Sequence, residues 1–308
     1  MLGNDITYED IKKESIATDI LFNDIQATWE KIGGENDIKT MLKAKAFYEK
    51  KYEVRTILMT ANQKPVGICW AETTTAHYGN ITFHHLDDTY IEPMIDYVLA
   101  EGIFNNKITE IVSIGANPKY KELLYKKKCM ANIRQRMSLW LYQDYPYEEE
   151  DHPFTFGPYQ KQHLEWAAKL SVQCHDISRD YHMYDEMTDI QKRIGLEELV
   201  WKEWYGKVIE PASLIIYHNN TPVGYCLNVE VKCWGFEKVP WIFDICIDPS
   251  YHGQGLGKAL SKRCINQLIQ QEYQIMGLAV TLSNTYAKSL YEKIGFQCVD
   301  VFYEFIKK

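Results

Sequence analysis

The second half of the chain switches repeatedly between two hydrophobic periods. Over 159–176 apolar residues return every three or four positions, with Leu164, Ala167, Ala168 and Val172 on one face, and 196–209 has the same spacing; both are predicted helices. Apolar, β-branched runs at 213–218, 222–231 and 240–248 are predicted strands. The helical period resumes over 256–271, where Leu256, Ala259, Leu260, Cys264, Leu268 and Ile269 fall on or near one face. A strand at 275–281, a helix at 284–293 and a closing strand near 297–306 complete the series. The order α-α-β-β-β-α-β-α-β is a meander followed by crossovers, an α/β (α+β) layout.

The first half repeats parts of this pattern. Asn62-Gln63-Lys64-Pro65-Val66-Gly67-Ile68-Cys69 and Asn219-Asn220-Thr221-Pro222-Val223-Gly224-Tyr225-Cys226 agree at five of eight positions, 157 residues apart. Each lies between strand-like runs, which predicts two hairpins turning at Asn-x-x-Pro. Leu124-Tyr125-Lys126-Lys127 matches Leu290-Tyr291-Glu292-Lys293 at an offset of 166, each downstream of an asparagine, Asn117 or Asn284. Two matches in one order and at nearly one offset predict a tandem duplication. The acidic segment 144–153, with Pro146 and Pro153 and no apolar periodicity, reads as a solvated linker. The expected domains are therefore 1–146 and 152–308.

Composition narrows the functional classes more than the fold. With 46% hydrophobic and 25% charged residues the 308-residue chain belongs with globular proteins, not disordered ones. No apolar run approaches the roughly eighteen residues of a membrane helix. The net charge of −8, with neither half basic, argues against nucleic acid or an anionic membrane as partner. The polar, mixed-charge start MLGNDITYEDIKKE is unlike a targeting signal, so a cytoplasmic location is expected. Eight scattered cysteines without a Cys-x-x-Cys pair read as buried, reduced thiols and not as a metal site.

The chemistry concentrates after the strand at 240–248. Asp248-Pro249-Ser250-Tyr251-His252-Gly253-Gln254-Gly255-Leu256-Gly257-Lys258 joins that strand to a helix. Alternating glycines let the backbone turn sharply and aim successive N–H groups into one concavity, and the helix start adds its positive end. Spacing excludes two other glycine motifs. A Rossmann G-x-G-x-x-G would need glycine at Lys258 or Leu260, and a Walker A loop would need glycine at His252. A structural glycine turn without a ligand remains the alternative on spacing alone.

The loop resembles the acetyl-CoA motif Q/R-x-x-G-x-G/A of the GNAT acyltransferase superfamily, with His252, Gly255 and Gly257 at its positions. A second motif of that family is similar to Asn284-x-x-Ala287-x-x-Leu290-Tyr291-x-Lys293-x-Gly295-Phe296. The two motifs cover about 240–300, and the likeness extends over 154–308. His252 departs from the usual Arg or Gln, which removes a side-chain phosphate donor but leaves the backbone cradle. The resemblance implies two tandem GNAT-like domains, each a mixed, mostly antiparallel sheet flanked by helices. It also implies acetyl-CoA as cosubstrate, held by His252, Gly253, Gln254, Gly255, Leu256, Gly257 and Lys258, by backbone N–H groups of Ile245, Cys246 and Ile247, and by Asn284, Ala287 and Tyr291.

Transfer from a thioester to an amine needs a polarised carbonyl, a deprotonated amine and a protonated leaving thiolate. By resemblance Tyr291 donates to the thiolate; a tyrosine packed on its helix is the alternative. Asp244 and Glu230 are competing candidates for the base, with a paired structural carboxylate as the alternative for either. Asp244 is expected on the strand face opposite Ile247, alongside Ile242 and Cys246. An acyl-cysteine route through Cys246 is set aside, since direct attack is the family's habit and a buried thiol is usually inert.

The first half lacks the loop. After Ile81-Thr82-Phe83 the chain reads His84-His85-Leu86-Asp87-Asp88-Thr89-Tyr90-Ile91-Glu92-Pro93, without glycine and with carboxylates that would repel a pyrophosphate. His84, His85, Asp87 and Asp88 read as a surface turn and not as a metal site. The half is expected to be a degenerate, structural lobe, and 150–308 is expected to bind acetyl-CoA alone if it folds. The expected function is an N-acetyltransferase acting on a primary amine, of a small molecule or of a peptide or protein, by direct attack in a ternary complex. The alternatives are a CoA-sensing pseudoenzyme and an enzyme using a longer acyl-CoA.

Overall fold

Alternation along the strands buries both faces of each sheet. The computed structural model describes residues 5–75, 78–144, 146–148, 153–175 and 183–308, so positions 145 and 149–152 of the expected linker lie outside it. The chain divides into two compact units, Met1–Asn132 with Phe302–Lys308, and Ile133–Val301.

In the first unit β1 (Ile6–Ile11), α1 (Ile16–Lys31), α2 (Ile38–Tyr48), β2 (Glu53–Ala61), β3 (Lys64–Thr73) and β4 (Tyr78–His85) are followed by α3 (Ile91–Ala100), β5 (Ile108–Ser113) and α4 (Lys119–Lys126). Strands β1 to β4 pair antiparallel in chain order and β4 pairs parallel with β5. One face of β2 and β3 (Ile57, Met59, Cys69) packs on α3 and α4. The other (Leu58, Ile68, Trp70) packs on α1 and α2. Ser15 starts α1 with a capping box, its hydroxyl taking the N–H of Thr18 while the Thr18 hydroxyl takes its own.

The second unit begins within β6 (Met130–Trp140) and continues through β7 (Thr155–Pro158), α5 (Leu164–His175), α6 (Ile190–Trp201), β8 (Lys207–Val208), β9 (Leu214–His218) and β10 (Thr221–Cys233). It then runs through β11 (Phe236–Ile247), α7 (Leu256–Gln270), β12 (Ile275–Thr281), α8 (Thr285–Ile294) and β13 (Gln297–Ile306). Its sheet runs β6-β12-β11-β10-β9-β7, with only β11 and β12 parallel. Helices α7 and α8 cover one face (Cys226, Ile242, Leu278, Val280) and α5 and α6 the other (Tyr225, Leu227, Val229, Cys246). Closing strands are exchanged between units: Arg134–Trp140 of β6 pairs with β12, while Glu304 and Phe305 of β13 pair with β5.

Both repeated hairpins form. Their turns are the two-residue loops Asn62-Gln63 (φ 50 and 63) and Asn219-Asn220 (φ 48 and 63), whose left-handed residues match the twist of the flanking strands. Gly67 stands opposite His85 and Gly224 opposite Ile247, the same place in each hairpin. Helix α6 departs from expectation, lying at Ile190–Trp201 and not at 196–209. Asp189 caps it by accepting from the N–H groups of Gln191 and Lys192, and Glu203 and Gly206 at positive φ turn the chain into β8. The apolar run that misled the periodicity straddles a helix end and a strand.

Two local readings are corrected. His84 and His85 end β4 instead of forming a surface turn, so alternation sends them to opposite faces: His84 to Asp24 on α1 (2.9 Å) and His85 to the Tyr120 hydroxyl on α4 (2.6 Å). Of the cysteines, five are buried, Cys174 and Cys233 are half-buried, and Cys298 is exposed. Among the described residues no helix is long and apolar enough to cross a membrane.

Candidate functional site

One extra residue in β11 creates the site. The pairing of β10 with β11 slips between Leu227 opposite Asp244 and Asn228 opposite Ile242, leaving Phe243 as a bulge. Phe243 and Asp244 consequently face the same side, toward α5 and α6, while Ile242 and Ile245 face α7. Asp244 does share a face with Cys246, but Ile242 is on the other, which the expected strict alternation could not allow.

Past the bulge β11 leaves β12. The two pair in parallel only at Trp241–Gly277 and Ile242–Leu278. From Phe243 to Ile247 the edge is open, about 16 Å at about 3.3 Å per residue. The N–H of Asp248 bonds the carbonyl of Val223 (2.8 Å). Ladder alternation then turns the peptide groups of Cys246 and Asp244 toward β10, and those of Ile245 and Ile247 toward the gap. Two of the three expected N–H groups therefore reach the gap, and that of Cys246 does not. The carbonyl of Ile247 accepts from Cys174 Sγ (3.2 Å) and His252 Nε2 (2.8 Å). The imidazole of His252 thus ties the loop to the strand end.

At that end Gly253 (φ 78) and Gly255 (φ 82) take the left-handed conformation, and a Cβ on either would meet open space. Gly255 is the N-cap of α7 and offers no side chain, so the N–H groups of Leu256, Gly257 and Lys258 precede the first helical bond, Ala259 to Gly255 (3.0 Å). Gly257 is small for another reason: a Cβ would lie 3.3 Å from Leu290 on α8. Asn284 caps α8 by accepting from the N–H of Ala287 (3.1 Å). One and two turns on, Ala287 and Tyr291 face the same cluster as Ile245 and Ile247. Tyr291 is 6% exposed, and burial pushes its phenol well above the ordinary value, so it stays protonated.

The two candidate carboxylates are placed differently. Asp244 accepts from Arg193 (2.6 Å), the Tyr225 hydroxyl (2.5 Å) and Ser171 (2.9 Å), and Arg193 also binds Glu197 (2.6 Å), which accepts from Tyr159 (3.1 Å). Burial opposes ionisation of Asp244, yet Arg193 holds its carboxyl below the ordinary value; burial pushes Glu197 up. Glu230 stands opposite Pro240, four residues or about 13 Å along β10 from Cys226, the partner of Ile245, and accepts from Tyr273 (2.6 Å). Asp244 lies near enough for its charge to help raise the Tyr291 phenol, whereas Glu230 is taken by Tyr273. The buried Arg193–Glu197 pair escaped the sequence reading, although two charges at i and i+4 between Ile190 and Val200 were its signal.

That network is expected to be structural. Arg193→Ala leaves two carboxylates buried without their cation and should cost about 3–5 kcal/mol in urea unfolding. Asp244 has its folded pKa below the unfolded one, so its stabilisation is complete above the ordinary carboxylate range and is lost as pH falls through the lowered value. Glu197, raised on folding, works the other way. The acid limb should therefore flatten in Arg193→Ala; an unchanged unfolding midpoint would refute the assignment.

Among its described residues the first unit has no such opening. Strand β4 pairs with β5 at six successive positions, Tyr78–Ile108 to Phe83–Ser113, and its ladder with β3 has no slip beyond Gly67. In place of the glycine loop, Asp87 accepts from the N–H of Thr89 (2.8 Å) and Asp88 pairs with Lys119 (2.6 Å).

Comparison with known proteins agrees with the fold. Residues 173–296 match the model of the acetyltransferase (GNAT) family. A GCN5-related N-acetyltransferase from Sphaerobacter thermophilus is similar in fold, with TM-score 0.60 at 12% identity over 97% of this chain and 94% of that one. A tandem GNAT protein from the clavulanic acid biosynthesis pathway has TM-score 0.53 at 9% identity, covering 98% of both chains. In sequence, the [ribosomal protein bS18]-alanine N-acetyltransferase of Haemophilus influenzae is 37% identical over 89 residues, 29% of this chain and 57% of the relative. That of Escherichia coli K12 is 42% identical over 55 residues, 18% of this chain and 37% of the relative. The chain thus spans about half the length, or less, of these relatives.

Proposed function

From a GNAT acetyltransferase domain at residues 173–296, we propose an acetyl-CoA-dependent N-acetyltransferase with one donor site per chain. The observation that carries this reading is the open edge of β11 from Phe243 to Ile247, ending at an uncapped helix start, found among the described residues in the second unit. The pyrophosphate sits on the N–H groups of Leu256, Gly257 and Lys258, with Gly253, Gln254 and Gly255 giving the backbone room. The pantetheine arm lies along β11 beside Asn284 and Ala287, and the N–H of Ile245 polarises the thioester carbonyl. The amine attacks that carbonyl directly in a ternary complex. Its nitrogen–carbon bond forms as the carbon–sulfur bond breaks, and Tyr291 gives its phenolic proton to the departing thiolate. Asp244 positions the bulge through Arg193, and Glu230 lies outside the reaction. The amine proton leaves to water, and Tyr291 takes a proton back from water before the next turnover.

In this reading 1–146 and 152–308 are copies of one ancestral repeat, the first without a donor site, and the protein acts in the cytoplasm. Acceptors include a small-molecule amine or a peptide or protein amine, the relatives above being named for a ribosomal protein's alanine. A second reading, a CoA sensor without turnover, is favoured by one observation: both candidate carboxylates already accept hydrogen bonds within the fold, Asp244 from Arg193 and Glu230 from Tyr273.

Calorimetry with acetyl-CoA is expected to give one site per chain, and two sites would contradict the reading. Gly255→Glu puts a long anionic side chain at a left-handed position in the pyrophosphate cradle and should weaken binding at least about 100-fold. Release of CoA thiol in the presence of an amine panel separates enzyme from sensor.

A further inference from the structure

Resting on the acyl-transfer reading, we propose that the acceptor is the terminal amine of an extended peptide whose third or fourth residue carries an aromatic side chain, bound on a platform of Trp140, Trp234 and Trp241. The donor and its thiolate lie on the α7 and α8 face, because the glycine loop opens α7 and Tyr291 is on α8. The acceptor must reach the thioester carbonyl from the opposite face of the gap. Register decides which residues form that face. Trp241 packs on the cluster under α5 and α6 and is paired with Gly277 on β12, so the two share it. Gly277 in turn is opposite Ser138 on β6, and Ile275 is opposite Trp140. Met137 and Leu139 belong to the cluster under α7 and α8, which leaves Ser138 and Trp140 on the acceptor's side.

Three indoles share this face. A Cβ on Gly277 would lie 2.6 Å from the Trp241 ring and 2.8 Å from that of Trp234, so only glycine lets both rings lie over β12. Their centroids are 5.4 Å apart, at an interplanar angle of 47°. Trp234 is held there against its backbone preference. It opens the two-residue turn between β10 and β11 at φ 53, followed by Gly235 at φ 82. The turns at Asn62-Gln63 and Asn219-Asn220 fill the same place with asparagine, which tolerates the left-handed region where a bulky side chain does not. The turn itself gains nothing from tryptophan; the position of the indole accounts for it. Trp140 is 52% exposed and meets Phe236 edge-on at 5.9 Å.

Among the described residues the cluster under α5 and α6 draws on β8 to β11 and takes nothing from β12 or β6. These helices thus cover the sheet only as far as Trp241. The distance to the reaction then selects the acceptor. Trp241 precedes Ile245, whose N–H polarises the thioester carbonyl, by four residues, or about 13 Å of strand. An extended peptide advances about 3.3–3.6 Å per residue, so an amine at that carbonyl brings its third and fourth side chains to the indoles. An aromatic ring there meets the indoles in stacked or edge-on geometry and buries apolar area on both partners. The ring of a small amine such as phenethylamine stops short of them.

Calorimetry on the full chain saturated with desulfo-CoA compares Ala-Gly-Gly-Phe amide and Ala-Gly-Phe-Gly amide with Ala-Gly-Gly-Gly amide, and phenethylamine with ethylamine. At least one phenyl peptide should bind about 10–100-fold tighter than the peptide without the ring, the effect of burying one such side chain. Trp140→Ala and Trp234→Asn should each bring that ratio toward unity, and Trp140→Phe should keep most of it. Asparagine suits the turn at 234, and unchanged acetyl-CoA affinity checks the folding of every variant. Equal affinities for the three peptides, no binding of any of them, or a preference that survives both Trp140→Ala and Trp234→Asn overturns the proposal. So does a gain of phenethylamine over ethylamine as large as that of the phenyl peptides. Binding is read without turnover, so a phenyl preference with no thiol release would sink the acyl-transfer reading alone.

Discussion

A fragment of residues 150–308 should fail to fold, while a fragment of residues 133–308 should retain the second unit. The sequence places a linker at 144–153 and makes a cut there attractive. The structure puts Arg134–Trp140 of β6 beside β12, with seven paired positions from Ile275–Trp140 to Thr281–Arg134. Met137, Leu139 and Leu141 belong to the buried cluster on α7 and α8. Tyr147 also donates its hydroxyl to the carbonyl of Ile294 (2.6 Å) and its N–H to Asn266 (2.8 Å). Removing three buried side chains at about 1.5–3 kcal/mol each forfeits about 5–9 kcal/mol. A domain's whole stability is about 5–15 kcal/mol. Far-ultraviolet dichroism and a urea titration check this directly. A cooperative transition in 150–308 equal to that of 133–308 would show that β6 is dispensable, against its place in the core.

Tyr291→Phe should lower kcat by about 10²–10⁴-fold and leave acetyl-CoA affinity nearly unchanged. The substitution keeps the ring, which packs edge-on against Phe296 at 5.7 Å, and removes only the hydroxyl. A loss confined to kcat therefore separates proton donation from packing. The pH profile gives a second readout. Burial raises the Tyr291 phenol above its ordinary value of 10.0, so the acid form persists through neutral and mildly alkaline pH. No fall in kcat from this group should appear below about pH 10. Unchanged turnover, with chemistry shown to limit the rate, would return Tyr291 to the core.

Local chemistry made much of this legible before any coordinates. The hairpins were readable because Asn at 62, 219 and 220 tolerates left-handed φ between strands of period two. The glycine loop was readable because the conformations of Gly253 and Gly255 have few other tenants, and α8 because Asn284 is a cap. These features depend on a few adjacent residues, so one sequence contains all their causes.

Other features depend on which strand lies beside which. The bulge at Phe243 has no composition of its own; it exists as a slip against β10, and it alone decides that Asp244 and Ile242 face opposite ways. Whether Ile245 or Cys246 turns its N–H to the gap follows from ladder alternation, which a register shift of one residue would invert. The exchange of closing strands joins β6 to β12, partners more than a hundred residues apart in sequence. It moves the folding boundary away from a linker that looked sufficient. Hydrophobic period and turn chemistry are written locally, whereas pairing partners are chosen by the whole packed chain.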